Sequence, residues 1–344
     1  MMVNAITILR KRLDSINTHI EVLRRIENIT RQQIDNEDIN YIQSKQTDEK
    51  TFNYRANIIS LYGTFEFFIE EVFKEYIEHL KHIIPLYSSL NDKIKDSYFG
   101  NVTKLHNKLH YAKFSHLTEL KIVQNLERVI AQDNNEILAE SYLGNGGNYK
   151  HEVICDLMNS VGICNVDCNI IQTIPLRDLL LEYTSDTEQQ RKKVQMRIEE
   201  LVNRRNEVAH GATTDDIIDI DSFDDMLRFT AAYCESLNKL LEQELMAYRW
   251  EQLSSTCYTP INIYGNKIVE LKVKNIRLSI GKKLLIKKQR YPAYLEANII
   301  GLNVKNNTTG VIEKKESIDI NNEEHLISVK VSANLKMNRE FKFI

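Results

Sequence analysis

The run Arg205-Asn206-Glu207-Val208-Ala209-His210-Gly211 brings a permanent cation, an amide and an imidazole together at the end of a charged, helix-forming stretch that begins near Glu188. On an α-helix Asn206 and His210 stand four apart and share a face, while Arg205 lies roughly 140° round from His210, within the swing of a long guanidinium. Gly211 can take the left-handed conformation that closes a helix. These residue types suit the cleavage of RNA without a metal, which needs a base for the 2′-OH proton and a cation for the charge that grows on the phosphoryl oxygens. His210 and Arg205 are the candidates for the two roles, with Asn206 orienting the imidazole or the phosphate and the neighbouring Arg204 in support. The competing reading is structural: an Arg-Asn pair on a surface helix, with His210 satisfying the last carbonyls.

Such a motif needs a scaffold, and the chain before Trp250 reads as helical. Only four prolines occur, at 85, 175, 260 and 292, so Asp186 to Gln252 runs without one. A stripe that includes Ile58, Ile59, Leu61, Phe65, Phe68 and Val72 predicts a bundle helix over about Tyr54 to Leu80. Glu66 and Glu70 lie beside it as an acidic i,i+4 pair of candidate supporting residues: Glu66 can turn toward Arg205 or His210 to fix the motif, or the pair forms a solvated face or a structural partner for a buried base. Leu9, Leu13, Ile16, Ile20 and Leu23 form a short coiled-coil-like seam that must pack on the body of the protein or on a second copy. Asp35 to Lys50 is polar and aperiodic and is expected to be a loop.

After Trp250 the hydrophobic period changes to two. Val269, Leu271 and Val273 alternate with lysines, as do Ile327, Val329, Val331, Ala333 and Leu335 farther on, with Gly281, Asn306-Asn307 and Asn321-Asn322 as separators. The expected fold is therefore multidomain, α followed by β: an N-terminal helix and loop over 1–50, a helical bundle over 51–254 and a small all-β barrel over 255–344. The net charge of −3 hides an asymmetry, because residues 255–344 carry 16 Lys and Arg against 8 Asp and Glu. A basic barrel on an acidic body suits RNA docking, with Lys282, Lys283, Lys287, Lys288 and Arg290 as the densest cluster. The charge can equally serve to pack the barrel on the helical domain and mask the site.

Other constellations carry less chemistry. His151, Cys155, Cys164 and Cys168 have i,i+4 spacing within each pair but no C-x-x-C frame, and Cys155 sits in an apolar helical context, so no metal and no cofactor is expected. Gly144 to Gly147 lacks the lysine of a phosphate loop and reads as a turn. The aspartates Asp215, Asp216, Asp219, Asp221, Asp224 and Asp225 fit no EF-hand order and read as an acidic loop, with Asp221 or Ser222 capping the last helix. Five cysteines in no repeating frame, no signal-like apolar core at the N-terminus and no membrane-length apolar run predict a cytoplasmic protein with no membrane contact.

Taken with its context, "VNRRNEVAHG" between a charged helix and "DDMLRFTAAYCESLNKLLEQEL" resembles the HEPN superfamily of prokaryotic defence and toxin ribonucleases. "NIISLYGTFEFFIEEVFKEYI" and the stretch ending "CDLMNSVGI" are similar to its RiboL-PSP-HEPN branch or a closely related one, so that the resemblance covers roughly residues 50 to 250. It implies an all-α nuclease domain with Arg205, Asn206 and His210 as the catalytic set. It further implies a homodimer with a composite active site, 2′,3′-cyclic phosphate and 5′-OH products, and a role in anti-phage defence or a toxin–antitoxin-like response, with an inhibitory or triggering protein as a further partner. The C-terminal strands are similar to the β-barrel second domain of translational GTPases, which points to structured RNA, tRNA above all, as the substrate. A silent RNA-binding or interaction module that uses the same fold for dimerisation is the alternative.

Overall fold

A computed structural model describes residues 2–32, 37–143, 148–211, 217–305 and 311–344. The Gly144–Gly147 turn, the Asn306-Asn307 separator and the acidic residues Asp215 and Asp216 lie outside them. The chain divides into two compact units, residues 1–242 and 243–344.

The first unit is helical: α1 (Asn4–Thr30), α2 (Glu37–Ile83), α3 (Asp92–His106), α4 (Glu119–Ile130), α5 (His151–Ser160), α6 (Val166–Ile170), α7 (Leu176–Leu181), α8 (Thr187–Ala209) and α9 (Ile220–Gln252), whose last turns belong to the second unit. The seam of α1 packs on α2, burying Leu9, Leu13, Ile16 and Ile20. Glu75 of α2 caps the start of α1, its carboxylate accepting the N–H groups of Val3, Asn4 and Ala5 at 2.7, 3.2 and 3.0 Å. These are donors that no preceding turn can satisfy.

The core is aromatic. Phe65, Phe68, Phe73, Tyr76 and Tyr233 are fully buried, and the Phe65 and Tyr233 rings meet at 6.0 Å. Ile59, expected in this stripe, is 43% exposed, because α2 buries its 58/61/62/65 side instead. Asn91 packs on Gly162, whose φ of +87° and a Cβ position 2.6 Å from the Asn91 side chain make any larger residue there strained and force Asn91 to shift. This fixes the Val161-Gly162-Ile163 turn that ends α5.

Two local expectations are corrected. The predicted loop over 35–50 is helix from Glu37 onward, continuous with the rest of α2. Its covered face is Ile39, Ile42, Gln46 and Glu49, only half of it apolar, so the helical period was hidden; Glu37 and Asp38 in the first turn complement the helix dipole. The last helix is capped not by Asp221 or Ser222 but by Asp219, whose carboxylate accepts the Ser222 N–H at 2.7 Å. Asp221 instead joins Asp224 in pairing with Arg24, at 2.9 and 3.0 Å.

The second unit is a curled antiparallel sheet, a half-barrel. Its strands are β1 (Asn262–Tyr264), β2 (Ile268–Val273), β3 (Ile276–Ser279), β4 (Lys283–Lys288), β5 (Tyr294–Lys305), β6 (Ile312–Lys315), β7 (Ser317–Ile320), β8 (His325–Val331) and β9 (Arg339–Phe343). The main sheet runs β1-β2-β8-β5-β4-β9, β6 pairs with the far half of β5, and β3-β7 form a separate ribbon. The register sets Val269 opposite Val329 and Leu271 opposite Ile327, so the alternating apolar residues all face one core, which Leu278, Ile318 and Ile320 of the ribbon complete.

The end of α9 packs on the other face. The Gln243 amide pairs with the Tyr294 backbone at 2.8 and 2.9 Å, and the Trp250 and Tyr294 rings lie 6.1 Å apart.

Candidate active site

Five buried residues, Gln190, Val194, Ile198, Leu201 and Val202, set how α8 sits in the bundle, and this orientation decides where its last turn points. Asp186 caps its start by accepting the Gln189 N–H at 2.8 Å. At its end His210 is the C-cap, its N–H bonded to the Asn206 carbonyl at 2.9 Å, and Gly211 leaves at φ +68°. Arg205 and Asn206 are half-buried and His210 is exposed.

The two arginines of the motif diverge. Arg204 donates to Glu200 and to the Tyr54 hydroxyl, each at 3.2 Å, and is largely covered. Tyr54 itself lines a cavity of about 670 Å³ between α1, α2 and the start of α9. Arg205 turns the other way. Its guanidinium carbon stands 4.9 Å from the centre of the Tyr62 ring, and it donates to Asn206 Oδ1 at 3.1 Å.

The same oxygen accepts from Asn148 Nδ2 at 2.8 Å, while Asn148 Oδ1 accepts the Tyr62 hydroxyl at 3.2 Å. A closed loop of four side chains, Arg205, Asn206, Asn148 and Tyr62, therefore fixes the guanidinium. Asn206 holds the arginine with its carbonyl oxygen, so any contact it makes with phosphate or imidazole falls to its amide nitrogen.

Behind this loop stands the acidic pair of α2. Glu70 accepts from the Tyr149 hydroxyl at 3.0 Å and from Lys113, while the Tyr149 N–H donates back to the Tyr62 hydroxyl at 3.3 Å. Glu66 is half-buried; burial and the neighbouring Glu70 push its carboxyl above the usual range, with Arg205 and Lys113 drawing it partly back. Burial and the Glu66 charge push the Tyr62 phenol up to about 12, so this hydroxyl stays protonated and serves as a donor. Glu66 thus stands in the field of Arg205.

Residues 10–243 match the family model RiboL-PSP-HEPN. The chain belongs to the RiboL-PSP-HEPN family. A comparison with curated proteins gives no match. The match spans the whole motif helix and stops at the boundary of the half-barrel, which lies outside the HEPN region.

The expected RNA-binding cluster of the half-barrel is not brought together as one surface. Alternation along β4 sends Lys287 and Lys288 to opposite faces. Lys283 pairs with Glu296, a carboxylate also approached by Arg249 at 3.5 Å; Lys287 lies 4.0 Å from Glu340 and 5.7 Å from the centre of the Trp250 ring. Lys288 is half-buried, and its ammonium is held below the usual range by burial and by Arg339. Lys282 and Arg290 are exposed.

On the HEPN unit, His151 and Cys155 line a second cavity of about 590 Å³. His151 is buried against the Tyr233 hydroxyl at 3.0 Å, and burial pushes the Cys155 thiol up to about 12, which suits neither a thiolate ligand nor a nucleophile. No group of three His, Cys, Asp or Glu residues that could hold a metal occurs among the described residues.

Tyr62, Asn148, Tyr149 and Lys113 are the residues of this corner that sequence reasoning missed. Three of them look like ordinary core or turn residues, and Asn148 lies 58 positions from its partner. For Lys113 there was a signal: from Ser97 to Thr118 the chain contains no acidic residue.

Proposed function

We propose that this RiboL-PSP-HEPN protein is a metal-independent endoribonuclease, with His210 and Arg205 as its catalytic pair. The observation that carries the reading is the asymmetry within one helix end: a guanidinium fixed by Tyr62, Asn206 and Asn148 beside an imidazole left open to solvent. His210 takes the proton of the 2′-OH, whose oxygen attacks the adjacent phosphorus. Arg205 stabilises the charge on the non-bridging oxygens, and the P–O5′ bond breaks as the leaving oxygen is protonated. Products end in 2′,3′-cyclic phosphate and 5′-OH.

A two-fold dimer that joins two such helix ends supplies a second imidazole, so that one His210 acts as base and the other as acid. Exposed Phe52 and Ile59 on α2 and Met196 on α8, the helix packed on it, support such a pairing. The substrate is RNA, tRNA among structured candidates, with Lys282 and Arg290 of the half-barrel as outlying contacts, in a cytoplasmic defence or toxin-like response.

Incubating the purified chain with total RNA in EDTA tests this, with end-group analysis of the products. Cleavage with cyclic-phosphate ends is the expected result. Strict dependence on Mg²⁺ or Mn²⁺, or 5′-phosphate ends, would move the chemistry to the aspartates after Gly211. Binding without cleavage would leave a silent RNA-binding module.

A further inference from the structure

The helical unit is acidic overall, yet residues 97–118 carry three lysines and three histidines with no Asp or Glu. Folding presents most of these side chains outward. Leu105 and Phe114 anchor the segment at 1% and 2% exposure, while Lys104, His106, His110, Tyr111 and Lys113 are exposed. Polar ties hold it in place: His116 lies 3.3 Å from Glu140, its carbonyl accepts from Lys121 at 2.7 Å, and His106 lies 3.5 Å from Glu119. The surface also offers aromatic faces, since the His110 and Tyr111 rings lie 4.1 Å apart and Phe99 is 61% exposed.

One end of this surface touches the motif network. Lys113 bonds Glu70, which bonds Tyr149, which donates to Tyr62 beneath Arg205. Burial, together with mutual repulsion among Lys104, Lys108 and Lys113, holds the Lys108 ammonium below its usual range. Cations gathered this closely are stabilised by a polyanion, and interleaved rings can stack on bases.

We propose that residues 97–118 form a docking surface for single-stranded RNA, with Lys104 and Lys108 taking phosphates and the His110–Tyr111 pair stacking a base. Lys113, engaged with Glu70, marks where the strand passes to the end of α8. The proposal rests on the ribonuclease reading only for what happens to the strand there.

The test is binding of a 2′-O-methylated oligouridylate, which cannot be cut by 2′-OH attack, to the full chain across a salt series. For Lys104→Gln/Lys108→Gln the log–log salt slope should flatten by roughly 1.4, about 0.7 for each phosphate left without its lysine. Lys104→Arg/Lys108→Arg should keep the slope, as should Lys11→Gln/Lys45→Gln at exposed positions on α1 and α2. In the wild-type chain, bound RNA should shield Lys104 and Lys108 from acetylation more than Lys11 and Lys45.

A wild-type slope in the glutamine variant, unshielded lysines, or no binding by the wild-type chain overturns the proposal. Cleavage of natural RNA is scored separately. A chain that binds through these lysines but never cuts keeps the docking surface and loses the nuclease, and one that cuts with an unaltered slope does the reverse.

Discussion

The cations of β4 and those around the end of α8 look alike in the sequence and live in different surroundings. Lys283 and Lys287 are taken up by Glu296, Glu340 and the face of Trp250, and Lys342 beside them donates to the Trp250 and Leu253 carbonyls at 2.9 Å each. Lys287 and Lys342 fasten the end of α9 to the sheet. Arg205 is instead held by an aromatic face and an amide oxygen, neutral partners that fix its position, with the Glu66 carboxyl in its field. A cation count says how much charge a region holds; only its partners say how much is left for a ligand.

That contrast predicts different failures in the two regions. The largest is expected at α8: Arg205→Ala should lose about 10²- to 10³-fold in cleavage rate with little change in melting temperature, the usual cost of removing one transition-state donor. Arg204→Ala should do the opposite. It removes the donor to the Tyr54 hydroxyl and leaves Glu200 with Arg197 alone, so it should cost about 1–3 kcal/mol of stability while leaving the rate of the folded enzyme close to wild type. Equal rate losses at both positions would dissolve the distinction between them.

In the half-barrel, Lys283→Gln/Lys287→Gln should lower stability by about 1 kcal/mol, since Glu296 is largely covered and loses its nearer cation. The salt slope of RNA binding should not move. A flattened slope would show that these lysines reach RNA after all and would return the half-barrel to the centre of substrate docking.

The smallest effect concerns Glu66, whose carboxyl is raised in the folded state. The folded chain holds this proton more tightly than the unfolded one, so the carboxyl favours folding at acid pH, and that contribution is lost as pH rises through the carboxylate range. Glu66→Gln should therefore raise the melting temperature slightly at neutral pH and leave it unchanged at pH values below that range. A lower melting temperature at neutral pH would mean that the Arg205 charge, not burial, dominates at Glu66.

The motif itself could be read directly, because its members are adjacent on one helix and their types are chemically specific. The helical and alternating periods likewise gave the two architectures. What could not be read was whatever depends on distant polar partners. Asn148 meets Asn206 across 58 residues, and a Tyr62 that supports a guanidinium looks like any other aromatic of a bundle stripe. Residues 37–50 hid their helix because half of the covered face is polar, and Asp219 took the cap from two equally good neighbours. Strand alternation predicted a small barrel, yet it carried no information on whether β1 and β9 would meet, and the curled sheet stays open between them.

The most direct test of the central claim is the cleavage rate of His210→Ala on RNA in the presence of EDTA, with the fold checked by circular dichroism. His210 is exposed, so the variant should fold and melt as the wild type does. Loss of a general base predicts a rate lower by about 10²- to 10⁴-fold with RNA binding retained. Cleavage at the wild-type rate, with the same cyclic-phosphate ends, would contradict the assignment of the end of α8 as the active site.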